Sequence, residues 1–219
     1  VKKLLLLRPE PGLSESAARA AGLGLDVIVR PLFRIEPVEW KAPDPTEYDA
    51  LLLTSANAVR QAGPGLAGFR GLPAYAIGAA TAEAAETAGL QLAGVGRNDI
   101  EQLLTEIPGS PKLLHLAGEH RREPATAHAI DRVTVYRSAT IDEPDLPSLN
   151  GLVAAIHSPR AAARLAELAN SRNLTSIAAI SSAAADACGP GWERIEVAPR
   201  PDDMSLLAVA AMLCHTSTP

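Results

Sequence analysis

Two stretches of this chain set small hydroxyl residues directly after an apolar run: "LLLTSANAV" at 51–59 and "AAIHSPRAA" at 154–162. Each reads as a buried strand turning into the first residues of a helix. Such a turn leaves backbone N–H groups unpaired at the positive end of the helix dipole. Ser and Thr hydroxyls placed there either cap the helix or donate to an anion. The turns Gly78-Ala79-Ala80-Thr81, Gly118-Glu119-His120-Arg121 and Ser181-Ser182-Ala183-Ala184 have the same character. Singly, each hydroxyl is an ordinary cap. As a set, facing one another across two lobes, they suit a ligand that carries many negative charges.

Other chemistry is poorly served. His115, His120 and His128 lack metal-ligand spacing and no cysteine joins them, so no metal is expected. There is no G-x-S-x-G elbow and no Walker loop. "GPGLAG" (63–68) fits the glycine pattern of a dinucleotide site, but it follows a helix rather than a strand and is expected to be a flexible loop. A flavin or nicotinamide cofactor is therefore not expected. Within "EHRRE" (119–123), Arg121 or Arg122 either clamps a carboxylate bidentately or simply faces solvent.

The elements that must position these turns alternate. Short apolar runs at 4–7, 26–33, 50–55, 74–78, 112–118, 132–138, 151–158 and 176–181 read as strands, and alanine-rich stretches between several of them read as helices. One helix is expected to be capped by Ser14 and ended by Gly22. Strict alternation predicts an α/β protein with parallel sheets flanked by helices. With 219 residues, 47% apolar and 3% aromatic, the chain suits one or two globular domains whose interiors are filled by alanine and leucine. A net charge of -5 offers no general basic footprint, so no nucleic-acid partner is expected. No run approaches a membrane span, because Arg8 and Pro9 cut the first leucine run short and charges interrupt the others. Cys188 and Cys214 are expected to be reduced and structural, and the protein cytoplasmic.

A shift of 103 residues aligns Ser55 with Ser158, Ile77 with Ile180, Glu83 with Asp186 and Asp99 with Asp202, without a gap over roughly 50 residues. A looser match joins "LLLLRP" to "LLHLAG" and "DVIVRP" to "DRVTVY". The chain thus holds two copies of one unit. Tandem and interwoven arrangements both satisfy this order, and periodicity alone leaves both open.

The ordered set "RPEP", Pro31 with Glu36-Pro37, "LLLTSANAV", "YAIGAATAEAAETAGL", "LAGEHRRE", "VYRSA", "HSPRAA" and "MSLLAVA" resembles uroporphyrinogen-III synthase over nearly the whole chain. The resemblance implies a cofactor-free lyase. It closes the linear tetrapyrrole hydroxymethylbilane to uroporphyrinogen III, with inversion of ring D and loss of water, in haem biosynthesis. It also implies two interwoven α/β lobes over an open cleft: 1–34 with 139–219, and 38–135, joined by a two-stranded linker at 35–37 and 136–138.

By the same resemblance Tyr136 is catalytic, while Thr54, Ser55, Gly78, Thr81, Arg122, Ser158 and Ser181 bind substrate. Implied partners are hydroxymethylbilane and the hydroxymethylbilane synthase that supplies it, with neither nucleic acid nor membrane, for a protein expected to be a monomer. The second copy departs from the family pattern: His157 stands for a threonine, Ser181 for a glycine and Ala184 for a threonine. If it faces the cleft, His157 is expected to be charged near neutral pH and to offset the lost donors. The competing reading is a non-catalytic two-lobed sensor of an anionic small molecule.

Overall fold

A computed structural model describes residues 1–96, 100–120 and 124–216. In chain order the strands and helices begin β1 (Lys3–Leu6), α1 (Gly12–Gly22), β2 (Val27–Val29), β3 (Phe33–Pro37), β4 (Ala50–Leu53) and α2 (Ala56–Gln61). There follow β5 (Pro73–Ile77), α3 (Ala79–Thr87), β6 (Gln91–Gly96), α4 (Ile100–Glu106), β7 (Leu113–Gly118) and β8 (Ile130–Thr140). The chain ends with β9 (Leu152–Ile156), α5 (Pro159–Leu168), β10 (Ser176–Ala179), α6 (Ser182–Cys188), β11 (Arg194–Val197) and α7 (Asp203–His215). It forms two compact units: Val1–Arg34 with Thr140–Pro219, and Ile35–Ala139.

The first unit holds a parallel sheet in the order β11-β10-β9-β1-β2. Successive strand residues point to opposite faces, so the four leucines after Lys3 divide two and two. Leu5 and Leu7 join Ala154, Ile156, Ala162 and Leu165 on the face covered by α5 and α6. Leu4 and Leu6 join Val153, Ala155, Leu206 and Ala210 beneath α1 and α7. Helices on both faces explain why these strands are apolar without alternation.

The second unit holds the order β3-β8-β7-β4-β5-β6 and is built on the same plan. Leu51, Leu53, Leu114 and Leu116 pack with Ala58, Val59 and Phe69 on one face, and Leu52 and Leu113 with Leu103 and Leu104 of α4 on the other. Both sheets are α/β as the alternation implied. The duplication holds to the residue at element starts: 159 − 56 for α5 against α2, 182 − 79 for α6 against α3 and 203 − 100 for α7 against α4 each give 103.

Three local expectations are corrected. The run 26–33 is not one strand: β2 stops at Val29 and β3 starts at Phe33, with Pro31, which has no N–H to give a ladder, in the gap. "GPGLAG" is no loose loop but lies in a 3₁₀ turn, Gly63–Phe69, on which Trp40 rests: a Cβ on Gly65 would come within 2.8 Å of the indole. Ser14 does not cap α1, which begins at Gly12; instead Glu10 accepts from the Ser14 amide at 3.1 Å and from its hydroxyl at 2.7 Å.

Candidate functional site

In an open parallel sheet, ligands bind beyond the carboxyl ends of the strands, at the point where the chain winds off in opposite directions. The second unit has that point between β4 and β7. The chain leaves β4 through α2 toward β5 on one side, while β7 lies on the other. Thr54 and Ser55 follow β4 directly. Ser55 has extended backbone, and its Oγ accepts the Asn57 amide at 3.2 Å, so it caps α2. The Thr54 hydroxyl shares a 2.9 Å hydrogen bond with Nε2 of the buried His115 on β7.

Tyr136 reaches the same place from β8. Gly118, the last residue of β7, pairs with Tyr136 in register, and the Tyr136 phenol donates to Ser55 Oγ at 3.1 Å. The ring packs on the core of its unit while the residue stays half-buried. Room for it comes from Gly118, where a Cβ would stand 2.6 Å from the ring carbon that bears the hydroxyl. Ser55 Oγ therefore accepts two hydrogen bonds and keeps its own hydrogen to donate.

Gly78 precedes α3 at φ 81° and ψ 150°, a region reserved for glycine. Its half-buried backbone opens close to the strand end, and a side chain there is strained whatever the space. Gly78→Ala is expected to cost about 1–3 kcal/mol and to lower Tm by roughly 5 °C, as thermal unfolding of the two proteins will show. Thr81, by contrast, is only 5% exposed. Its hydroxyl lies on the buried face of α3, so the substrate contact expected of it is not open at the surface. Arg122 lies outside the described residues.

In the first unit the corresponding point lies between β1 and β9. Ser158 caps α5, accepting the Ala161 amide at 3.2 Å, and Ser181 caps α6, accepting the Ala184 amide at 3.3 Å. Both remain half-buried with a hydroxyl hydrogen to give. Here the sequence missed a cluster. Asp203, in the first turn of α7, accepts His157 Nε2 at 2.8 Å, Ser16 Oγ at 2.7 Å and Arg8 at 3.3 Å on one carboxylate oxygen, and Arg19 at 2.8 Å on the other. Burial pushes this carboxyl upward, but the bonds from His157, Ser16 and Arg19 outweigh it and hold the group far below the ordinary carboxylate range. Arg8 read only as the end of a leucine run, and an acid in a first helical turn reads as a response to the dipole. The faint signal was two polar residues at strand ends, Arg8 and His157, with no hint of their meeting.

The cluster corrects the expectation for His157. Its side chain is 9% exposed and spent on Asp203. Burial, the largest influence, pulls the imidazole below its ordinary pKa; Arg8 adds to this and Asp203 opposes it. His157 is thus a neutral donor to Asp203 at neutral pH rather than a cation offered to ligand. The sign for stability follows: below the ordinary histidine value the unfolded chain takes up a proton that the folded chain refuses, so acidification lowers the stability of the fold. His157→Gln is expected to flatten the fall of Tm between about pH 7.5 and about pH 5.5, measured by thermal melts at both.

Cys188 and Cys214 are free and buried, and burial pushes both thiols to about 11.

Comparisons with known proteins follow the same lines. A family model described as uroporphyrinogen-III synthase HemD matches residues 14–208. The fold is similar to that of the uroporphyrinogen-III synthetase of Helicobacter pylori, at 15% identity and TM-score 0.66, covering 97% of this chain and 100% of that one. It is also similar to a mutant uroporphyrinogen III synthase of the extremely thermophilic bacterium Thermus thermophilus, at 17% identity and TM-score 0.51, covering 96% and 99%. A comparison with curated protein sequences gives no match.

Proposed function

The chain belongs to the uroporphyrinogen-III synthase family, and from that premise we propose how its own residues carry the reaction. As a member it is a cyclising lyase of haem biosynthesis that closes hydroxymethylbilane to uroporphyrinogen III. The sensor reading is not retained.

Closure needs a hydroxyl to leave the terminal methylene, a substituted pyrrole carbon to attack, and the resulting spiro intermediate to fragment and close again with ring D turned over. Hydroxymethylbilane is reactive enough to close alone to the wrong isomer. The protein's main task is therefore to hold a conformation, which is catalysis by orientation. Tyr136 assists the departure: its phenol donates to the leaving hydroxyl in place of Ser55. The observation that carries this is the 3.1 Å bond from the phenol to Ser55 Oγ, which aims a half-exposed donor at the carboxyl ends of β4 and β7.

Thr54, Ser55 and the Gly78 backbone in one unit, and Ser158 and Ser181 in the other, donate to substrate carboxylates. Ser55, Ser158 and Ser181 do so with the hydrogen that capping leaves unused. Thr81 and Arg122 complete the set, Thr81 by shaping the start of α3.

The protein acts as a monomer in the cytoplasm. Among the exposed large apolar side chains Leu23 follows α1, Val95 lies on β6, Leu174 precedes β10, and Met204 and Met212 lie eight residues apart on α7. Among the described residues no helix is long and apolar enough to cross a membrane. A substrate that closes unaided favours direct supply by the upstream hydroxymethylbilane synthase.

The test is incubation with freshly made hydroxymethylbilane and separation of type I from type III product. Type III in excess is expected; type I alone, at the rate seen without protein, rules the reading out.

A further inference from the structure

Arg8 follows β1 by two residues, beside the His157-Ser158 turn that follows the central strand β9, and so stands at the winding point of the first unit's sheet. In the other unit the corresponding winding point carries Thr54, Ser55 and Tyr136, with Ser55 matching Ser158 and Arg8 matching the end of β7. One terminal nitrogen of its guanidinium is tied down, donating to Ser16 Oγ at 3.0 Å and to Asp203 at 3.3 Å. Among the described residues Nε and the second terminal nitrogen have no partner, and the side chain is 30% exposed. Those two nitrogens form the edge that grips a carboxylate with two parallel hydrogen bonds.

The arginine is also built in from below. A Cβ on Gly12 would lie 2.4 Å from the second terminal nitrogen, 2.5 Å from the guanidinium carbon and 2.6 Å from Nε, so the planar group rests by that side on the bare backbone of Gly12 and needs a glycine there. Asp203 is kept ionised by His157, Ser16 and Arg19, which preserves the anchor at neutral pH. The other acids nearby are engaged elsewhere: Glu10 with Ser14, Glu15 with Arg19, and Asp202 with Arg200 and the Ser205 amide.

We propose that Arg8 is a substrate-binding residue that grips one carboxylate of hydroxymethylbilane through Nε and its free terminal nitrogen, with Ser16 and Asp203 as its positioning residues. This rests on the reading of the reaction given above. It assigns to the first unit a cationic contact that its hydroxyl turns alone do not provide.

The experiment compares the full chain with Arg8→Gln and Arg8→Lys. Arg8→Gln is expected to raise KM for hydroxymethylbilane by about 30-fold, as for loss of a charge-assisted pair, with kcat within about twofold. Arg8→Lys keeps the charge but loses the fork, and is expected to fall between the two. An unchanged KM in both folded variants, or a fall in kcat at constant KM, overturns the proposal.

Fluorescence titration with uroporphyrin III, the oxidised product, reads the contact without turnover. Wild type is expected to bind it, and Arg8→Gln about 30-fold more weakly. Equal binding by the two, or no binding by wild type, also overturns the proposal. Should Arg8→Gln fail to fold, Arg8→Lys is read in both assays. Failure of wild type to make type III refutes the reading of the reaction, whereas a wild type that makes it with Arg8 variants of unchanged KM refutes only the role of Arg8.

Discussion

Tyr136→Phe is expected to lower kcat for type III formation by about 10²-fold, the lower end of what a positioned acid contributes, while KM stays within about twofold. Only the hydroxyl is removed. The ring that packs on the second unit's core is kept, so Tm should move little; the lost bond to Ser55 is worth about 1 kcal/mol. Loss of kcat at constant KM means that the phenol acts on the departing hydroxyl and not on the bound chain. A second signature concerns the product: slower enzymatic closure lets spontaneous closure compete, so the type I share rises as enzyme concentration falls. Steady-state rates with isomer separation measure both. A variant with wild-type kcat would reduce Tyr136 to a packing residue, and the acid would have to be sought elsewhere.

What the sequence disclosed and what it hid differ for a physical reason. Strands with buried faces on both sides must be apolar throughout, so "LLLL" and "ALLL" announced themselves, and the offset between Ser55 and Ser158 carried through every element of the duplicated halves. The fold class was therefore legible, because it depends on periodicity and local turn chemistry. Single residues that work by meeting distant ones were not. Arg8 and Asp203 are separated by nearly the whole chain, and no spacing rule links them. His157 looked like a free imidazole because its partner lies on α7, 46 positions away. The caps show the converse limit: Ser55, Ser158 and Ser181 were found from sequence, but a hydroxyl that caps and a hydroxyl that binds look alike until the unused hydrogen is counted.

Gly118→Ala is expected to cost nearly as much activity as Tyr136→Phe, by a different route. The added methyl would stand 2.6 Å from the phenol carbon and 2.8 Å from the phenol oxygen, closer than packed atoms tolerate. Gly118 sits on β7, hydrogen-bonded between β4 and β8, so the backbone yields less readily than the tyrosine side chain does. Relief comes from swinging the ring, which carries the hydroxyl away from Ser55. Overpacking of this kind costs about 1–3 kcal/mol of stability, so Tm should fall as well, unlike in Tyr136→Phe. The two changes share one cause, the position of one oxygen, and must not add. In Tyr136→Phe the oxygen is already gone, so introducing Gly118→Ala there should lower kcat by less than about threefold while still lowering Tm. Multiplicative losses in the double variant would show that Gly118 serves the reaction by some means other than seating the phenol.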